Sequence, residues 1–186
     1  NVFRAAMYTE EYGGYTTGEN EKQNSEKLLY YAVDNAIELD MYAVIDWHVL
    51  SDANPMKHKS EAIEFFDKVS KKYAGNPAVI YEICNEPNGV NWKNDIKPYA
   101  EEIIPVIRKN SPEALIIVGT NTWSQDVDEA SDDLLDYENV AYAFHFYAGT
   151  HKLDNFKGKI EKAISNGATV FVTEWGTSDE SGNNGN

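Results

Sequence analysis

Two glutamates stand at the ends of stretches with strand composition. Ala78-Val79-Ile80-Tyr81 is an apolar run that leads through Glu82-Ile83-Cys84-Asn85 to Glu86, and Pro87 closes it. Ala168-Thr169-Val170-Phe171-Val172-Thr173 is β-branched and aromatic, and Glu174-Trp175-Gly176 ends it with a carboxylate, a large aromatic and a turn residue. Strands of one parallel barrel deliver their C-terminal ends to a single rim, so both carboxylates would face the same space. Paired acids in that position suit cleavage of a glycosidic bond. One carboxyl stays protonated to donate to the leaving oxygen, and the other stays ionised to attack or to activate water.

The other strand ends carry polar residues as well: Arg4, His48, Asn85 beside Glu86, and His145 with Tyr147. A cation such as Arg4 and a donor such as Tyr147 would keep the second carboxylate charged. A lone glutamate at a strand end is ordinarily a salt-bridged rim residue, so the reading rests on the whole set. Competing hydrolytic chemistries find less support. No His/Cys/Asp spacing of metal-site type occurs and no Gly-x-Ser-x-Gly turn is present, so neither a metal nor another cofactor is expected.

The elements that must position these residues follow from periodicity. Strands are expected to start near residues 2, 42, 78, 115, 140 and 169. A helix is expected over Ser25 to Asp40, with Leu29, Val33, Ala36 and Ile37 on one face. A second is expected to be capped by Ser60, with Ile63, Phe66, Val69 and Tyr73 as its stripe and Gly75 and Pro77 as its stop. Further helices are expected over Asp95 to Lys109, interrupted by Pro105, weakly over Asp128 to Leu135, and over Leu153 to Ser165. Ser178 to Asn186 is polar and reads as a loop or tail. This alternation predicts a parallel sheet covered by helices, in one domain spanning residues 1–186. Six strands are two short of an eight-fold barrel, which takes about 250 residues. A doubly wound open sheet is the rival architecture, weakened because no Gly-rich phosphate loop follows any strand.

Composition sets outer bounds. The net charge of −15 over 186 residues argues against nucleic acid and anionic membranes as partners. The single Cys84 excludes an internal disulfide and reads as a buried core residue. Four tryptophans and twelve tyrosines offer flat platforms on which sugar rings stack. Tyr8 and Trp123 are candidate platforms beside the cleavage point, and Trp175 is a third candidate, although packing is the simpler role for it. His58 and His151 read as loop residues, the latter at the edge of the cleft. No signal peptide or membrane span is recognisable, and the sequence opens in strand-like residues without Met, as a cut N-terminus would.

At the residues singled out above, the sequence resembles glycoside hydrolase family five. Asn85-Glu86-Pro87, preceded by Ile80-Tyr81-Glu82, is similar to that family's acid/base motif. Thr173-Glu174-Trp175-Gly176, preceded by Val170-Phe171-Val172, is similar to its nucleophile motif. Asp46-Trp47-His48 and His145-Phe146-Tyr147 resemble its third-strand and sixth-strand patterns, and Arg4 matches the arginine of its second strand. The resemblance implies an α/β fold, a partial (β/α)8 TIM barrel with strands two to seven present and the first and eighth missing. It implies a retaining endo-β-1,4-glucanase, with Glu86 as acid/base and Glu174 as nucleophile about 5 to 5.5 Å apart. Asn85 would hydrogen-bond the sugar 2-hydroxyl, Arg4 and Tyr147 would orient Glu174, and His48 and His145 would shape the floor. The implied substrate is a β-glucan polysaccharide or oligosaccharide, and the implied protein is secreted and monomeric. A β-mannanase or xylanase shares this catalytic set, and a carbohydrate-binding fragment without activity is a further alternative. A six-stranded piece leaves two sheet edges open, so the 186 residues alone are expected to be unstable or poorly active.

Overall fold

The computed structural model describes residues 1–184; the last two residues of the expected tail lie outside the described residues. Six parallel strands form one sheet in sequence order: β1 (Val2–Tyr8), β2 (Tyr42–His48), β3 (Val79–Glu82), β4 (Ile116–Val118), β5 (Val140–Tyr147) and β6 (Val170–Gly176). The intervening segments carry α1 (Glu19–Glu38), α2 (Lys59–Lys72), a π turn (Trp92–Ile96), α3 (Lys97–Arg108), the single turn α4 (Asn121–Ser124), α5 (Val127–Ser131) and α6 (Leu153–Ser165). The alternation is that of a parallel sheet covered by helices, and the result is a partial (β/α)8 barrel, as the family resemblance implied.

Strand alternation sorts the core into two layers. Ala43, Ile45, Trp47, Val79, Tyr81, Ile116, Val118, Tyr142 and Phe144 point outward and meet the helices through Phe65, Phe66, Val69, Ile103 and Ile107. Val44, Ile80, Ile117, Ala141 and Ala143, with Leu115 and Phe171, form a smaller apolar cluster on the interior face. Above that cluster the interior positions turn polar, with Arg4, Asp46, Glu82 and His145. Although β1 and β6 are the sheet edges, Arg4 Nη1 lies 3.0 Å from Glu174 Oε2. The sheet has therefore curled far enough for its two edges to meet across the interior.

Several boundaries differ from the sequence expectation for physical reasons. Helix α1 begins at Glu19 rather than Ser25, because the polar Glu19 to Asn24 turns lack an apolar stripe yet are rich in helix formers. Lys22 of that segment is tied to Glu64 of α2 at 2.8 Å. Its end is a Schellman motif: Asp40, at φ 53, donates to Ile37 O, and Met41 N donates to Ala36 O. Ser60 does not cap α2; the cap position is His58, whose ring is engaged by Glu10, and Ser60 lies in the first turn. The ladder of β3 ends at Glu82, four residues before Glu86. Beyond it, Asn85 N and Glu86 N donate to Trp47 O and Val49 O, which keeps the chain against the end of β2. The expected helix over Asp128 to Leu135 shrinks to the five residues of α5. Ser178 to Asn184 is a compact loop around Asp179, whose carboxylate accepts from Ser181 N, Asn183 N and Asn184 Nδ2. No helix among the described residues is long and apolar enough to cross a membrane.

Phe66 of α2 is fully buried and meets Phe65 and Tyr81 edge-on. Phe66→Ala should destabilise the fold by about 3–5 kcal/mol, read as a lowered urea midpoint with an unchanged slope. A loss under about 1 kcal/mol would mean that α2 contributes little to the core.

Candidate active site

Arg4 organises the site. Its Nε lies 2.6 Å from Glu82 Oε2, its Nη1 3.0 Å from Glu174 Oε2, and its Nη2 2.7 Å from Asn85 Oδ1 and 3.0 Å from Asp46 Oδ2. One guanidinium on β1 thus reaches β2, β3, the loop after β3, and β6. Glu82 has no exposed surface, and burial opposes its ionisation; His145, 3.8 Å away, and the bond to Arg4 outweigh that and hold its pKa down at about 2. Burial pushes the Asp46 pKa up, with Glu82 adding like-charge repulsion and Arg4 and His48 opposing both. His48 Nδ1 is 2.6 Å from Asp46 Oδ2, and that carboxylate raises the imidazole pKa against its burial.

A β-bulge sets the other wall. Ala143 pairs with Phe171 but His145 pairs with Glu174, so β6 holds an extra residue between these two pairs. Strict alternation would send one of Thr173 and Glu174 outward. With the bulge, both reach the interior. Thr173 Oγ1 donates to Glu82 Oε1 at 2.6 Å and lies 2.8 Å from His145 Nε2. Glu174 meets Arg4 on one oxygen and a short hydrogen bond from the Tyr147 hydroxyl on the other. Burial opposes ionisation of Glu174, but that hydroxyl and the charges of His145, Arg4 and His48 hold its pKa below the usual range.

His145 Nδ1 is 2.9 Å from Glu86 Oε1. Both ring nitrogens therefore face acceptors, since the Thr173 hydroxyl has already given its proton to Glu82. Burial disfavours the imidazolium, yet the carboxylate of Glu82, 3.8 Å from Nε2, and the bond to Glu86 raise the pKa to about 9. An oxygen of Glu86, a nitrogen of His145 and an oxygen of Glu174 all lie within 4.8 Å of one another. By distance alone these three could hold a cation; in the structure both nitrogens of that imidazole are already engaged, Nδ1 by Glu86 and Nε2 by Thr173.

These groups open onto a cleft of about 830 Å³ lined by Arg4, Tyr8, His48, Glu86, His145, Tyr147 and Glu174, with Trp123, Gln125 and His151 at its margin. Tyr8 rests against His48 at 4.4 Å between ring centroids, and Trp123 is 45% exposed. Asn85 lies beneath the cleft with no exposed surface; its amide faces Val49 O at 3.1 Å and His48 Nε2 at 3.3 Å. Trp175, the third platform candidate, is not among the residues that line the cleft. It follows Glu174 directly, so it points away from the interior, stacked on Phe146 at 6.3 Å and 63% exposed. Glu82, Asp46 and Thr173 had no place among the sequence candidates. The available signal was an acidic residue at an interior position of two otherwise apolar strands.

Comparison with known proteins bears on this arrangement. A family model described as cellulase, glycosyl hydrolase family 5, matches residues 1–186. An endoglucanase of Clostridium saccharobutylicum is 54% identical over 186 residues, covering 100% of this chain and 40% of the relative. Endoglucanase A of Evansella cellulosilytica is 55% identical, covering 99% of this chain and 37% of the relative. The chain thus spans about two fifths of these curated relatives. The catalytic domain of Thermobifida fusca endoglucanase Cel5A superposes with a TM-score of 0.91 at 37% identity, over 100% of this chain and 61% of that one. A variant of that domain in complex with cellotetraose gives a TM-score of 0.90.

The His145 proton is bound more tightly in the folded chain than in the unfolded one. Its stabilising contribution is full below about pH 6.5 and is lost as the pH rises towards the folded value. Nitrogen-detected NMR of labelled histidine should place the His145 midpoint near 9. A midpoint at or below about 6.5 would contradict the two-acceptor arrangement.

Proposed function

Since the chain belongs to glycosyl hydrolase family 5, the cellulase family, we propose that it carries the catalytic centre of a retaining endo-β-1,4-glucanase. The observation that supports this most is the separation of Glu86 and Glu174, whose nearest oxygens lie within 4.8 Å. Retaining pairs sit about 5–5.5 Å apart, whereas inverting pairs leave about 6.5–9.5 Å for a water. Glu174, held ionised by Arg4 and Tyr147, attacks the anomeric carbon as Glu86 gives its proton to the departing glycosidic oxygen. The carbon–oxygen bond of the leaving sugar breaks and a glycosyl ester forms on Glu174. Water then attacks the same carbon, Glu86 takes the water's proton, and the ester carboxylate leaves.

Asn85 supports the step from beneath. Its contact with His48 is the longer of its two amide contacts, and it is the one a sugar 2-hydroxyl would replace. Tyr8 and Trp123 supply aromatic faces for the glycan on the cleft surface. Residues 1–186 act as one part of the barrel, from its second to its seventh strand. The substrate is a β-1,4-glucan, as the endoglucanase relatives and the cellotetraose complex of the neighbouring structure suggest. A polymer of that kind is met outside the cell, which supports a secreted protein.

The test uses these 186 residues set in place of their matching segment in the Clostridium saccharobutylicum endoglucanase, with both open sheet edges covered. Glu86→Gln should lower hydrolysis of carboxymethyl-cellulose by about 10²–10⁴-fold, and Glu174→Gln should lower it at least as much. The 186 residues alone should turn over more slowly than the graft. Activity that survives either substitution, or a preference for mannan or xylan over the glucan, would overturn the reading.

A further inference from the structure

The turn that carries Trp123 has an unusual backbone. Thr122, Trp123 and Ser124 all have positive φ, at 55, 53 and 57, a run of three non-glycine residues in the left-handed region. Such residues persist only where their surroundings over-determine them. Here the surroundings are the backbone that carries Glu86. Ser124 is fully buried, and its hydroxyl donates to Asn85 O at 2.6 Å while accepting from Thr120 N at 3.2 Å. Trp123 N donates to Pro87 O at 3.1 Å, and Gly119 N donates to Cys84 O at 3.0 Å. Gly119 is itself required, because a Cβ there would stand 2.2 Å from Cys84 O and 2.7 Å from Asn85 O.

The carbonyls of residues 84, 85 and 87 are thus all held by the segment from Gly119 to Ser124, and Glu86 N is held by Val49 O from the opposite side. Of the bonds from that segment, the Ser124 bond alone falls on the peptide that joins Asn85 to Glu86, holding its carbonyl while Val49 O holds its N–H. Loss of the Ser124 bond would leave that peptide held at its N–H alone and loosen the aim of the Glu86 side chain, and the left-handed turn is the conformation in which residue 124 reaches the carbonyl. The same turn presents Trp123 at the cleft margin.

We propose that Ser124 is a positioning residue, whose hydroxyl fixes the Asn85–Glu86 peptide so that the Glu86 carboxyl meets the departing oxygen of a glycan resting on Trp123. This rests on the acid role of Glu86 proposed above.

Proton donation matters most for leaving groups that cannot depart as anions. In the graft, Ser124→Ala should lower kcat/KM for cellotetraose by about tenfold or more, a fraction of the full acid contribution. With 2,4-dinitrophenyl β-cellobioside, whose phenolate departs unprotonated, the loss should stay within about threefold. Ser124→Gly should behave like Ser124→Ala. Glycine relieves the left-handed backbone but lacks the hydroxyl, so recovery in Ser124→Gly would make the residue a conformational one only and overturn the proposal. Equal losses on both substrates, or none, would overturn it as well. Glu86→Ala measured alongside separates the two readings. If it fails to discriminate between the substrates, the acid assignment falls and takes this inference with it; if it discriminates and Ser124→Ala does not, only this inference falls.

Discussion

A single guanidinium has to satisfy three carboxylates that the fold brings into one interior. Asp46 and Glu82 have no exposed surface, and each would be costly to bury charged without a partner. Arg4 meets both, and its remaining nitrogen reaches Glu174 from the far edge of the sheet. The contact is at once electrostatic and architectural. It gives the buried acids their counter-charge, and it draws β1 and β6 together across the interior. Loss of Arg4 would leave charges stranded where water cannot reach them, so the curl of the sheet and the charge state of the cleft depend on the same bonds.

Around that cation the two glutamates receive different surroundings. Glu174 lies between Arg4 and the Tyr147 hydroxyl, both of which favour its ionised form. Glu86 has His145 as its side-chain partner and is positioned from its backbone. The bulge in β6 makes this division possible, because it turns Thr173 and Glu174 to the same side. Thr173 then passes the His145 contact on to Glu82, and Glu174 is left free to face the cleft. Two carboxylates of one residue type thereby receive unlike neighbours, which is the asymmetry the proposed division into nucleophile and acid draws on.

Much of this was legible in the sequence, and the parts that were not have identifiable causes. Strands declare themselves by β-branched and aromatic runs, so the six strand starts and the carboxylates after them could be read directly. The roles of Asp46 and Glu82 are not legible, because an acid inside an apolar strand has no local signature of its partner, which here lies on β1. The bulge depends on pairing between β5 and β6, and no residue of either strand announces it. Trp175 has the place of a sugar contact beside Glu174, but its stacking on Phe146, away from the lining of the cleft, depends on the partner strand and has no local signal. Ser60 has the chemistry of a helix cap, but the cap position falls two residues earlier, at His58. The left-handed turn at residues 122–124 runs against every local preference of Thr, Trp and Ser, and only the contacts to the loop after β3 account for it.

The central claim is that Glu174, kept ionised by Arg4 and Tyr147, forms the covalent bond to the sugar. Incubating the active graft with 2,4-dinitrophenyl 2-deoxy-2-fluoro-β-cellobioside slows release of the glycosyl ester and lets it accumulate. Peptide mass spectrometry should then find one fluoroglycosyl group per chain, on Glu174. A label on Glu86 or Glu82, or continued turnover with no label at all, would contradict the account.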